Sequence, residues 1–436
     1  MDFSNAQDFG DVIAIAYDLY DQIKSTESVS ADDEIHQFLY KGLASVDVSH
    51  PNFSFLDSAF KQQSSEEGKR LFLYSLLSAV NDVGPFDEIA LKKSGLLSSL
   101  FAEKMLVLPM QGNRFSYYWE TKGDLRDIHN RTKPEDAFSF FSIVRRDKLL
   151  ISPSFSSLNY EGSSPYFNIL TNKASLHVVA VPFFNDNLSE YFEIELDDKH
   201  HKFSIKDAKT SSDYLTRYRS SFLKAIDSHP DLVIFPEMSL TKESIAAGQE
   251  ILSQACLSSH VLIVAGSVWK DKSNRSFVLD HLGKVVLSQS KFTRFRYEPG
   301  QPKVFYIEGI AFDDRPPTSI SILEVKGLGR VAVFICKDAL ERAVIDNITS
   351  CLYLDLMIVI AYSPSFEIER DLDSIAKECH TTVCLVNACF GKKQQAKVFV
   401  PAKKLKRSAV KEKDFGPCEK RDCAKSCSGR RITIDI

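Results

Sequence analysis

Three apolar runs in this chain of 436 residues end in side chains able to do chemistry. DLVIFPEM closes on Glu237, VVLSQSKF on Lys291, and RVAVFICKD on Cys336. A cysteine is a strong nucleophile only as thiolate, so a neighbouring cation such as Lys291 would favour the anion. A carboxylate such as Glu237 can take the thiol proton and later return it to a leaving group. Charge on a tetrahedral oxygen needs preorganised donors, for which the Lys291 ammonium and the backbone N–H of Lys337 are the candidates. The set suits covalent catalysis by a thiol, in which a covalent intermediate splits one hard step into two easier ones.

Residues with such roles must be delivered by elements that agree on where they end. From Leu176 onward, apolar strands alternate with helical segments. LHVVAVPFF, DLVIFPEM, HVLIVAGSVW, RSFVLD, VVLSQSKF, RVAVFIC, LMIVIAY and TVCLVNA read as strands. YLTRYRSSFLKAID, SIAAGQEILSQAC, ERAVIDNITSCLYL and DLDSIAKECHT read as helices. That alternation predicts an α/β layered fold in which helices cover sheet. A polar insertion at about 187–211, rich in acids and holding His200 and His201, interrupts the first strand-to-helix crossover; the two histidines read as solvated loop residues.

Residues 1–170 read as a separate, mainly helical accessory domain. VIAIAYDLYDQIK, EIHQFLYKGLASV, KRLFLYSLLSAV and LKKSGLLSSLFAEKML place apolar residues three and four apart. RFSYYWE and AFSFFSIV read as short strands within it, and the segment holds no catalytic constellation. The layered domain then spans 171–436.

Composition bounds the function classes. A net charge of -4 gives no basic field for nucleic acid. No apolar stretch approaches the about 18 residues that a membrane span needs, and the acidic N-terminus lacks signal-peptide features, so a cytoplasmic location is expected. Nine cysteines, mostly in apolar runs, fit free buried thiols. Cys418, Cys423 and Cys427 lie close together, but their spacing matches no common zinc finger. Neither a metal nor a cofactor is expected.

The ordered Glu, Lys, Cys set resembles the carbon–nitrogen hydrolase family, the nitrilase superfamily of amidases, carbamoylases and nitrilases. The residues that carry it are Pro236–Glu237, Asn274–Val286 leading into Lys291, and ICKD around Cys336; the runs LDLMIVIAYSPSF and IAKECHTTVCLVNACFG follow in family order. The resemblance implies a four-layer α-β-β-α sandwich, a Glu237–Lys291–Cys336 triad, a small amide, carbamoyl or nitrile substrate, and pairing into a homodimer. It also implies a second glutamate after the lysine, for which KFTRFRYEPG offers Glu298, and an acidic residue that orients the nucleophile's turn, Asp338. RRITIDI would supply a last strand. The chain departs from the family at Lys337, where an uncharged residue is usual, and in the lysine-rich KKQQAKVFVPAKKLKRSAVKEKD, which only loosely matches a strand pair and reads as solvated surface. Two other functions stay open: a catalytically silent interaction or regulatory protein, as in a microbial defence or signalling system, and an ammonia-releasing half of an amidotransferase. No GxxxxGK[ST] run supports the latter.

Overall fold

A computed structural model describes residues 3–6, 9–23, 33–46, 52–83, 105–109, 141–145, 149, 152–157, 175–183, 192–208, 211–255, 261–270, 272–297, 305–310, 319–325, 328–352, 354–363, 367–379, 381–389, 396–400, 427 and 429–435. The chain divides into two units, Met1–Leu149 and Leu150–Ile436.

The first unit contains α1 (Phe9–Gln22), α2 (Asp33–Ala44), α3 (Ser54–Lys61), α4 (Glu66–Val83) and an antiparallel pair, β1 (Met105–Pro109) with β2 (Phe141–Arg145). Residues on three- and four-residue spacing meet in one core: Val12, Ile13 and Ala16 of α1, Leu39 and Leu43 of α2, and Leu73, Leu76, Leu77 and Val80 of α4. Met105 and Leu106, at the end of the segment read as helical, are extended in β1. RFSYYWE lies outside the described residues.

The second unit begins with β3 (Ser152–Ser157), β4 (Ser175–Ala180), β5 (Phe192–Asp197), β6 (Lys202–Ala208) and α5 (Ser211–Ile226). It continues with β7 (Leu232–Ile234), α6 (Lys242–Gln254), β8 (Leu262–Lys270), β9 (Ser273–Leu279), β10 (Val285–Ser290), β11 (Arg296–Tyr297) and β12 (Tyr306–Glu308). Then come β13 (Ser319–Val325), β14 (Gly329–Ile335), α7 (Arg342–Leu352), β15 (Leu356–Ala361), α8 (Glu367–Glu378), β16 (Thr382–Asn387), β17 (Ala396–Phe399) and β18 (Arg430–Asp435). The first sheet runs β10-β9-β8-β7-β4-β18 and the second β17-β16-β15-β14-β13-β3. β3 pairs in parallel with β13 and so belongs to the second unit.

The two sheets pack face to face. Leu176, Leu232, Leu262 and Leu287 of the first meet Val331, Val333, Leu356 and Ile358 of the second around one small apolar cavity. Strand alternation turns Val233 and Ile263 to the other face, where they join Tyr218 and Phe222 of α5 and Ile251 and Leu252 of α6. On the second sheet α8 rests on β16 and β17, burying Ile368, Leu372, Ile375 and Ala376 at helical spacing. The order is therefore α-β-β-α. The final strand, expected from RRITIDI, is β18, antiparallel to β4. The loosely matching lysine-rich segment contributes β17, antiparallel to β16.

The insertion near 187–211 is not a plain loop. It forms the β5–β6 hairpin, which belongs to a small third sheet of order β11-β12-β6-β5. His200 and His201 lie at its exposed turn, and the His200 Nδ1 sits 2.8 Å from Asp197 Oδ2.

Candidate active site

β7 and β8 run parallel, and β10 shares their direction because β9 is antiparallel to both of its neighbours. β14 and β15 are likewise parallel. Strands that agree in direction deliver their following residues to one edge, where α/β folds place their chemistry. Glu237, Lys291, Cys336 and Tyr362 are such residues.

Glu237 sits in a turn stitched to a bulge in β8. Met238 N–H donates to Ser267 Oγ at 2.9 Å, Ser239 Oγ donates to Pro236 O at 2.7 Å, and Leu240 N–H donates to Ser267 O at 3.0 Å. Gly266 lets the two segments approach: its φ is +94°, and a Cβ there would stand 2.6 Å from Pro236 O. Met238 itself is left-handed, with φ 63°. A capping box between Thr241 and Ser244 then starts α6.

Lys291 Nζ lies 2.7 Å from Glu237 Oε1 and 2.8 Å from Glu308 Oε2, with all three side chains buried. Glu237 Oε1 also accepts from Asn274 Nδ2 at 2.9 Å, and its Oε2 accepts from Tyr362 N–H at 3.0 Å. Tyr362 is held in turn through Ser363, whose N–H donates to Asn387 Oδ1 at 2.9 Å while Asn387 Nδ2 donates to Ser363 O at 2.6 Å. Cys336 follows β14 with φ 53°, a left-handed conformation that costs a non-glycine residue about 1 to 3 kcal/mol and clusters at functional turns. Its thiol is buried and interacts electrostatically with Lys291, Glu237 and Glu308. Asp338 is fully buried two residues on, and its Oδ1 accepts from the backbone N–H groups of Phe292 and Thr293 at 3.1 and 2.7 Å. It thus ties the nucleophile's turn to the segment after Lys291. Lys337 lies between them, half-buried.

The electrostatics correct one expectation. Burial would lower the Lys291 ammonium, but Glu237, Glu308, Cys336 and Asp338 hold it well above its ordinary pKa. Burial first, and the Glu237 charge next, push the Cys336 thiol up, and the opposing pull of Lys291 is too small to reverse this. The resting group is a thiol rather than a Lys-stabilised thiolate. Burial also raises Asp338 and Glu308, the latter further raised by Glu237 and opposed by Lys291.

Sequence reasoning brought Glu237, Lys291, Cys336 and Asp338 to one place and missed Glu308. Glu298, the candidate for the second glutamate, lies outside the described residues. Glu308 ends β12, where Tyr306 and Glu308 are buried and Ile307 is exposed. A charged residue on the inward phase of an alternating strand was the available signal. Among the described residues no His, Cys, Asp and Glu cluster could hold a metal ion. Cys418 and Cys423 lie outside the described residues, while the Cys427 N–H donates to Ser221 Oγ at 2.8 Å. No described helix is long and apolar enough to cross a membrane.

No family model and no curated protein matches the chain. Solved structures do. The glutamine-dependent NAD+ synthetase of Acinetobacter baumannii is 16% identical with a TM-score of 0.36, over 52% of this chain and 42% of that one. The chain thus matches less than half of the synthetase's length. A mutant form of the nitrilase-superfamily amidase from Nesterenkonia AN1 is 14% identical with a TM-score of 0.38, over 61% of this chain and 93% of the amidase. Nit3 of Saccharomyces cerevisiae, from branch 10 of the same superfamily, is 14% identical with a TM-score of 0.34, over 52% and 80%. The α-β-β-α order stands on this chain's own strand pairing and packing, and the solved structures to which the chain is similar, at low identity and over part of its length, include nitrilase-superfamily proteins of carbon–nitrogen hydrolase fold.

Proposed function

We propose that the protein is a cysteine-dependent hydrolase of a non-peptide C–N bond, acting on a small amide, carbamoyl compound or nitrile through Glu237, Lys291 and Cys336. The observation that carries this reading is the buried Lys291 ammonium, bonded at 2.7 and 2.8 Å to two carboxylates and set beside a thiol in a left-handed turn. A buried charge cluster is costly and poorly explained as a source of stability alone.

With an amide, Cys336 Sγ attacks the carbonyl carbon as its proton passes to Glu237. Charge on the carbonyl oxygen is met by the Lys291 ammonium and the Lys337 N–H. Collapse breaks the C–N bond, and Glu237 returns the proton to the departing amine. Water, deprotonated by the same carboxylate, then attacks the thioester; the acid leaves and the thiol is restored. Glu308 holds Lys291 from its other side. Asp338 orients the turn. No metal or cofactor takes part, and a homodimer in the cytoplasm belongs to the same reading.

The test offers small primary amides, carbamoyl compounds and nitriles to the full chain, following ammonia release and intact mass. Ammonia release with an acyl adduct on Cys336, both lost in Cys336→Ala, supports the reading. Absence of both sinks it in favour of the catalytically silent alternative.

A further inference from the structure

The proposed chemistry makes no use of the β5–β6 hairpin, yet the hairpin touches it at one remove. β12 is three residues long and its partner β11 two, too short to hold a register alone. β12 is held on one side by the Phe295–Tyr297 segment, where the Glu308 N–H donates to Phe295 O at 2.8 Å, and on the other by β6. Ile307 N–H donates to His201 O at 2.7 Å and Gly309 N–H to Phe203 O at 2.8 Å, so Glu308 lies beside Phe203 in parallel register. Tyr306 Oη adds a bond to Asp198 Oδ1 at 2.5 Å, joining β12 to the hairpin's turn through side chains. The hairpin's other end is anchored in the layered core, where Phe192 and Ile205 join the cluster around α5 and Phe203 stacks on Trp269 of β8.

Register matters here because a one-residue slip turns every side chain of a strand to the opposite face. A slip of β12 on β6 would present Ile307 or Gly309 to Lys291 in place of Glu308. On its other side, Glu308 Oε2 accepts from Phe295 N–H at 2.9 Å, and its Oε1 is buried without a hydrogen-bond partner. The carboxylate is therefore aimed by backbone pairing on both sides, and the hairpin supplies the longer of the two partner strands.

We infer that the β5–β6 hairpin is the positioning element of Glu308, with Asp198 and Tyr306 as the positioning residues that pin the register of β12 beside Lys291. Its consequence for catalysis rests on the hydrolase reading. The geometry itself does not.

Two measurements on the full-length protein separate these. Hydrogen exchange at the Phe295 amide reports directly whether Glu308 stays in place. Tyr306→Phe and Asp198→Ala should each speed it by about tenfold, whereas Asp198→Asn, which keeps an acceptor, should stay near wild type. The second measurement is the rate at which iodoacetamide alkylates Cys336 across pH. Glu308 is one of the carboxylates that hold the thiol up, so Glu308→Gln should move the rise in rate to lower pH. Tyr306→Phe should move it in the same direction by less. Cys384, buried in β16 with its thiol pushed up to about 12, should stay unlabelled throughout and so certify an intact fold. If Tyr306→Phe and Asp198→Ala match wild type in both measurements while Glu308→Gln shifts the profile, the inference is overturned. If no small amide, carbamoyl compound or nitrile leaves an acyl adduct on Cys336 in wild type or in any variant, the hydrolase reading falls, and the Phe295 exchange rates still decide whether the hairpin positions Glu308.

Discussion

The two ends of β14 treat buried charge in opposite ways. At the start of the strand, Arg330 meets Glu324, with its Nε 3.1 Å from Glu324 Oε1 and its Nη1 donating to Leu352 O at 2.9 Å. Its backbone N–H donates to Asp355 Oδ2 at 2.9 Å. At the far end, one cation, Lys291, is shared among Glu237, Glu308 and Asp338, with a thiol in their midst. Both clusters are as dry as the core around them. The first sets a cation against a carboxylate and reads as structure. The second carries surplus negative charge, which must be shared out as protons, and sharing protons is what acid–base chemistry requires.

The largest expected effect tests whether the unbalanced end is chemical at all. Cys336→Ala should lower turnover by at least about a thousandfold while circular dichroism and melting stay close to wild type. Residual turnover above a tenth would remove the nucleophile assignment.

Next come the two cations. Lys291→Arg should fail as badly as Lys291→Ala, because a wide planar guanidinium cannot sit where a compact ammonium touches Glu237, Glu308 and a forming oxyanion. Arg330→Met should instead cost about 3 to 5 kcal/mol of stability, the penalty of stranding a buried carboxylate, with turnover per folded molecule unchanged. Denaturant titrations beside active-site counts would decide, and loss of turnover in folded Arg330→Met would erase the contrast.

A smaller effect is expected in the pH dependence of stability. Burial raises Glu308 and Asp338 in the folded state. The folded protein therefore binds these protons more tightly than the unfolded chain, and stability falls as pH rises above the ordinary carboxyl range near 4.5. Glu308→Gln should flatten that decline in melting temperature between about pH 4 and 7. An unchanged slope would mean that Glu308 is not a member of the coupled cluster.

The smallest change expected is in Asn387→Ala. It loosens Ser363, and through it the Tyr362 N–H on Glu237, so turnover should drop about fivefold, the worth of about one hydrogen bond. A drop comparable to that of Cys336→Ala would make Asn387 a direct participant.

The layered core was legible because burial and spacing say the same thing along the chain. The runs ending in Glu237, Lys291 and Cys336 are strands whose residues are buried or alternate, and the stripes of α5, α6 and α8 match the faces they cover. In the first unit the packed faces of α1, α2 and α4 were legible for the same reason. β3 was not, since SPSFSS has one large apolar residue and owes its conformation to pairing with β13. Nor was β1, because MLVLP suits a helix end as well as a strand and its state is set by β2.

The sequence by itself determined which side chains emerge at strand ends, because alternation and strand length are local properties of the chain. It therefore specified Glu237, Lys291 and Cys336 as the groups to watch, and the resemblance added Asp338. Only the tertiary structure decided that Glu308, from a three-residue strand held by a hairpin about a hundred positions earlier, completes the set, since pairing register is a long-range choice. Only it decided that Cys336 rests as a thiol, because that balance depends on how much water the fold removes and how many carboxylates it gathers around one lysine.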